Sequence, residues 1–371
     1  MPLRLQTSGP AQPGLPAKSR PRPPSPGPAP GGLLRWDQVP PDFVECFILS
    51  GYRRRPDSLR QCLATLLQPT NETLNFWTHF VPLLLFLARF ARLLLLGGGG
   101  RPGQPPPRAL APALLPLWCY ASGVLLTLAV SCAAHLCSCL APRRRAALFY
   151  LDYASISYYG FGSTLAYHHY LLPGLRLLDA AALDPLVHAR LGWRVDCARL
   201  LAAYRSLVLP VGFALAVACT VACCRSRSAR CARPFALRTF VFALPLSMAC
   251  PIALEGLLFD LRRRDPALLA RFVRRYLWLG LAAFFNVSKL PERAWPGRFD
   301  IVGHSHQLFH VFTALGIYEQ VCYVEDALGR SLDTVAPTLP GTVGYMALLA
   351  LCLGLVVRRY LAGSDLVAKQ D

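Results

Sequence analysis

Eight apolar runs, most of them about 20 residues long, recur along this 371-residue chain, at 76–96, 113–139, 147–171, 203–224, 235–259, 271–289, 304–323 and 341–359. A helix of that length crosses the hydrocarbon core of a bilayer, and inside lipid every backbone polar group must find its partner within the segment. The sequence therefore predicts an all-α fold, a polytopic membrane helical bundle of eight spans, the last of them C-terminal. The hydrophobic share of 54% agrees with this. The formal charge of +19 does not indicate nucleic acid, because the arginines cluster in short segments between apolar runs, where they meet lipid headgroups and set orientation. Most of the 14 cysteines, among them Cys119, Cys132, Cys219, Cys250 and Cys352, lie within apolar runs, so no disulfide framework is implied.

Taken in order, the chain divides into a tail at 1–35, a juxtamembrane segment at 36–75, the bundle at 76–360 and a short cytoplasmic tail at 361–371. Ten prolines fall in the first thirty residues, a composition that predicts disorder. The tail lacks the apolar core of a signal peptide, which leaves the first span as insertion signal. Residues Trp36 to Leu67 mix apolar side chains with Arg53, Arg54, Arg55 and Arg60 and read as one or two amphipathic helices on the membrane surface, or as a soluble packing segment. Thr70 or Asn71 caps the first span, with Glu72 complementing its positive end. Gly97 to Gly100 and Pro105 to Pro107 mark a flexible loop. Two sequons, at Asn71 and Asn286, abut spans, a poor position for glycan attachment. Arginine counts favour a cytoplasmic N-terminus, although Arg262 to Arg264, Arg271, Arg274 and Arg275 vote the other way.

The polar residues inside the runs carry the functional argument, because an ionisable group in a membrane needs a partner or a task. In Ser305-His306-Gln307-Leu308-Phe309-His310, His306 and His310 stand four apart, one helical turn, so two imidazoles share a face and can share an ion; His304 falls off that face. His135, in Ser131-Cys132-Ala133-Ala134-His135, is the best third ligand, and Asp152 is a third polar point. Ends of even spans and starts of odd spans lie on one membrane face, so all four residues fall at one depth. Ordinary hydrogen-bonded histidines are the bland alternative. Cys139, one turn beyond His135, is a less suitable ligand. Glu255 reads as a contact for a ligand hydroxyl or ketone or, the favoured alternative, as the partner of an interfacial arginine, Arg89 and Arg92 as headgroup contacts, Cys223 and Cys224 beside Arg225 as acylation positions, and Glu292 and Asp300 as shaping the loop before the histidine helix.

Five motifs spread over nearly the whole chain resemble the progestin and adipoQ receptor family: Glu72-x-x-Asn75-x-Trp77-Thr78-His79, Ser131-x-x-x-His135, Leu151-Asp152-Tyr153, Pro291-Glu292-Arg293-x-x-Pro296-Gly297-x-Phe299-Asp300, and Ser305-His306-Gln307-x-x-His310. A seven-helix core with an eighth C-terminal span added is what the resemblance implies, and the eighth span resembles the family's membrane progestin receptor branch. The resemblance implies zinc held by His135, His306 and His310, with Asp152 and Ser131 beside a zinc-bound water. It also implies a multi-pass plasma-membrane protein with a cytoplasmic N-terminus, in contact with membrane lipids, that binds progesterone and related neurosteroids and signals through a G protein. A second function is implied with it, a zinc-dependent intramembrane hydrolase of lipid amides, for which Asp152 would accept a proton and Ser131 would assist. The ligand class rests on the resemblance alone, and oligomeric state is not encoded in any motif.

Overall fold

The computed structural model describes residues 32–56, 58–96, 111–192, 196–228, 234–331 and 337–367. Its α-helices are α1 (Leu59–Ala64), α2 (Thr73–Leu96), α3 (Leu115–Leu136), α4 (Pro142–Ala166), α5 (Ala180–Leu191), α6 (Cys197–Ser228), α7 (Pro234–Ala243), α8 (Cys250–Leu258), α9 (Leu261–Arg264), α10 (Pro266–Ser288), α11 (Ser305–Ser331) and α12 (Tyr345–Val367). Among the described residues, five segments are long and apolar enough to cross a membrane: Thr73–Leu95, Pro112–Leu136, Cys197–Arg227, Pro234–Leu258 and Pro340–Gly363. Helices α4, α10 and α11, at 25, 23 and 27 residues, are as long but less apolar, because they carry the polar groups that the bundle encloses. These eight pieces stand where the eight runs predict spans, and the fold is a polytopic helical membrane bundle.

Helix α4 runs through the middle of the bundle, packed on α3, α6 and α12, while α10 pairs with α11 and α2 lies against α3 and α11. The close approach of α3 to α4 depends on missing side chains. A Cβ at Gly123 would stand 2.7 Å from the Tyr159 Cα, and one at Gly162 would stand 3.0 Å from the Cys119 carbonyl oxygen. Small residues of this kind let helix backbones approach closely in lipid, where van der Waals packing replaces the hydrophobic drive. Tyr120, Val124, Leu128 and Tyr323 fill the adjoining core and are fully buried.

Several elements differ from the sequence reading. The run at 235–259 is not one helix: α7 and α8 are separated by a 3-10 segment, Leu244–Ala249, because Pro245 and Pro251 remove backbone donors and crowd the preceding turn. Helix α4 begins at Pro142, with the rigid ring at its first position, so Arg143 to Arg145 lie inside the helix and not in a loop. Residues 36–67 hold one six-residue helix, α1, and two 3-10 turns, Trp36–Gln38 and Pro41–Phe43, in place of surface amphipathic helices. Prolines at 40, 41 and 56 and the positive φ of Phe47 (66°) and Gly51 (86°) break any continuous helix there.

That segment packs on the bundle through specific bonds. The Arg53 guanidinium donates to the carbonyls of His135 and Leu136, both at 2.7 Å, and to Ser138 Oγ at 2.9 Å, satisfying the last turn of α3 as a basic side chain does at a helix C-terminus. Burial pushes the Tyr52 phenol well above its ordinary pKa, and its hydroxyl donates to the Ile48 carbonyl at 2.9 Å. Most of the tail expected to be disordered, residues 1–31, lies outside the described residues, as do Gly97 to Gly100 and Pro105 to Pro107; Leu34, within them, bridges Tyr52 by N–O contacts of 2.7 and 3.1 Å.

Candidate metal centre and cavity

The three histidines singled out in the sequence, His306 and His310 by their spacing and His135 as the third ligand, come together. His135 ends α3, His306 and His310 open α11, and one ring nitrogen from each falls within 4.8 Å of the other two; among the described residues these three are the group able to hold a metal ion. His135 Nε2 and His306 Nε2 are 3.2 Å apart. Two nitrogens bound to one tetrahedral zinc at about 2.0–2.1 Å would stand about 3.4 Å apart, close to this separation. The outer nitrogens of two of the rings are engaged elsewhere. His135 Nδ1 donates to Glu72 Oε2 at 2.7 Å, and that oxygen also accepts from Asn75 Nδ2 at 2.8 Å. His310 Nδ1 donates to the Asn75 carbonyl at 3.0 Å and lies 3.1 Å from Thr78 Oγ1. A proton held on Nδ1 leaves Nε2 with a bare lone pair, the tautomer a ligating imidazole needs.

Local sequence explains the placement. Glu292, expected to shape the preceding loop, accepts from the Ser305 backbone N–H at 2.7 Å and from the Ser305 hydroxyl, capping α11 one residue before its first ligand. Asp300, expected in the same role, accepts from the Leu49 N–H at 3.1 Å and the Ser50 hydroxyl at 2.7 Å, tying that loop to the N-terminal segment. His304 points away as expected, with Nε2 3.1 Å from the Asn71 carbonyl.

Other positions need correction or completion. Glu72 does more than complement a helix end: it is the carboxylate that orients His135. His79, given no role by the sequence, stacks on His310 with ring centroids 3.7 Å apart and planes within 12°. It also holds Ser131, whose Oγ is 2.8 Å from His79 Nδ1. Asp152 is not in the ligand group but lines the same cavity as the histidines. Cys139 faces Cys62, Sγ to Sγ 3.9 Å, and is not in the ligand group. Cys223 and Cys224 are fully buried in the core, which removes the access that acylation requires. Arg89 does not reach for headgroups; it forms a two-pronged bridge to Glu325 at 2.9 and 2.6 Å. Glu255 pairs with Arg264 at 2.5 Å, as expected. Asn71 and Asn286 are buried, which agrees with the reading that neither sequon is a glycan site.

A cavity of about 320 Å³ opens beside the histidines. Its walls are mostly apolar, with Ile156, Phe242, Leu246, Leu279, Phe309 and Ile317 among them. Sites for small apolar ligands have this make-up, a concave apolar surface with a few fixed polar groups.

Fold and site together define a class, a multi-pass helical membrane protein with a three-histidine centre at one end of an apolar intrabundle cavity. The chain matches the haemolysin-III related family over residues 67–321 and belongs to it. It is similar to membrane progestin receptor delta of Mus musculus, 35% identical over 328 residues that span 86% of this chain and 85% of that protein. Membrane progestin receptor gamma of Mus musculus is 34% identical over 294 residues, 78% of this chain and 79% of that protein. Membrane progestin receptor alpha of Homo sapiens is 29% identical over 287 residues, 75% and 72% of the two chains. The family read from the five motifs is thereby borne out.

Proposed function

We propose that this protein is a plasma-membrane steroid receptor that binds progesterone and related neurosteroids, signals through a G protein and carries zinc on His135, His306 and His310. Its N-terminus lies on the cytoplasmic side. The observation that carries the reading is the mostly apolar cavity reaching the histidine centre, in a chain similar along most of its length to proteins named membrane progestin receptors. A fused-ring steroid offers a rigid apolar body and one or two oxygens, which suits such a cavity.

The donor set supports zinc: three imidazoles, two with their outer nitrogens occupied by hydrogen bonds to Glu72 and the Asn75 carbonyl, suit a borderline-soft divalent cation. Zinc bound there would join α3 to α11 and act as a Lewis acid toward a ligand oxygen. The protein's own residues do the remaining work. Glu72 and Asn75 fix the two imidazole orientations, His79 packs against the His310 ring, and the apolar walls exclude water from the ligand.

A second reading, lipid amide hydrolysis, is favoured by one observation: Asp152 lines the cavity without belonging to the ligand group, so its carboxylate is available to take a proton. The receptor reading is preferred because the relatives that cover most of the chain are named as receptors. The test is direct binding of progesterone to purified full-length protein, with ceramide hydrolysis assayed on the same sample. Saturable progesterone binding without turnover supports the receptor; turnover without steroid binding replaces it with the hydrolase.

A further inference from the structure

Arg275 stands at the middle of α10, the tenth of its 23 residues, and is 3% exposed. At mid-depth of a membrane bundle a guanidinium ordinarily meets a carboxylate, and its neighbours do: Arg271 pairs with Asp326 at 3.4 Å and Arg274 with Glu319 at 2.7 Å. Arg275 forms no ion pair among the described residues. Its Nη1 donates to the hydroxyls of Tyr167 at 2.7 Å and Tyr323 at 3.1 Å. Those hydroxyls have little more to give. Tyr167 also accepts from Gln320 Nε2 at 2.6 Å and stands 2.6 Å from the Tyr323 hydroxyl, so the acceptor capacity of the pair is committed. Arg275 Nε is left buried with no acceptor.

This cation lines the cavity that begins at the histidines. Its partner Tyr323 lies 13 residues beyond His310 on α11, about 20 Å along the helix axis, and Gln320, which donates to its other partner Tyr167, lies 10 residues beyond, so the guanidinium belongs to the opposite end of the space. The carboxylates that line the cavity, Glu45, Glu72, Asp152 and Glu292, come from the segments around the histidine centre. A buried cation with no carboxylate beside it is costly unless something completes it, and the cavity that the Arg275 side chain lines is where an acceptor would sit.

We propose that Arg275, braced by Tyr167 and Tyr323, anchors the inner end of the ligand by donating to an acceptor oxygen, a ketone or a carboxylate, on an otherwise apolar molecule. The cavity then has two polar ends and an apolar middle, and ligand polarity at the far end decides specificity. The proposal rests on the steroid reading only for the choice of first probe.

The test compares wild type with Arg275→Leu and, should that variant fail to fold, Arg275→Gln. Affinities are measured for progesterone and for two analogues, each lacking one of its ketone oxygens. Wild type is expected to bind one analogue at least tenfold more weakly than progesterone, as befits a lost hydrogen bond to a charged donor. In the variant, progesterone falls to that weaker level, the discrimination vanishes, and zinc content is unchanged. A purely structural tie would lower thermal stability and leave the discrimination intact, which overturns the proposal. If wild type binds no progesterone, the steroid reading fails, and the same proteins are compared with oleate and oleyl alcohol. A wild-type preference for oleate that Arg275→Leu abolishes then supports the anchor; no preference, or one equal in both proteins, refutes it.

Discussion

Changing Glu72 to Gln isolates what the buried carboxylate contributes to the histidine centre. Glu72 is 7% exposed, and its Oε2 accepts hydrogen bonds from His135 Nδ1–H at 2.7 Å and from the Asn75 amide at 2.8 Å. Glutamine has the same shape and keeps one acceptor oxygen, so packing and the Nδ1–H bond both survive. What is lost is the negative charge that makes the His135 imidazole a stronger donor to a cation. Removal of an outer hydrogen-bond partner of this kind commonly costs 10–100-fold in metal affinity, about 1.4–2.7 kcal/mol. Zinc affinity measured by competition with a chromophoric chelator should therefore fall by that factor in Glu72→Gln, with helical circular dichroism unchanged. Glu72→Ala, which also leaves Nδ1 without its partner and opens a cavity, should fall further. An affinity for Glu72→Gln equal to wild type, in a folded protein, would refute the orienting role.

Three other perturbations follow from the geometry. Asp152→Asn separates the two readings of function: steroid-dependent G-protein signalling should survive it, whereas a hydrolase using Asp152 as base would lose about a hundredfold or more in release of fatty acid from a ceramide. Gly123→Ala forces a Cβ to 2.7 Å from the Tyr159 Cα, and the resulting overpacking of α3 on α4 should cost about 1–3 kcal/mol, seen as a lower midpoint of thermal unfolding; an unchanged midpoint would show that the two helices have room to part. Epitope tags at either end should become accessible only after permeabilisation if the proposed cytoplasmic N-terminus holds, since eight spans would then place both termini inside; a C-terminal tag readable on intact cells removes a span or reverses the orientation.

The histidine centre was legible because its two signals are local and discrete. A four-residue spacing puts His306 and His310 on one helix face, and span parity puts His135 on the same side of the membrane. Roles that depend on which side chain meets which across the bundle were not legible. Glu72 reads equally well as a helix-end charge, and nothing in Trp77-Thr78-His79 shows that the His79 ring will stack on His310. Arg89 and Glu325 are 236 positions apart, so their pairing is visible only in three dimensions. The break within 234–258 was written in Pro245 and Pro251, but hydropathy, which averages over both, does not register it. At Cys223 and Cys224 the neighbouring Arg225 suggested an accessible interface, whereas the turn of α6 directs both thiols into the core.

Zinc content by elemental analysis of the purified full-length protein tests the central claim most directly. The account predicts one zinc per chain in wild type and in His304→Ala, whose side chain binds the Asn71 carbonyl, and none in the His135→Ala, His306→Ala, His310→Ala triple variant. Stoichiometric zinc retained by the triple variant, or its loss on changing His304 alone, would contradict it.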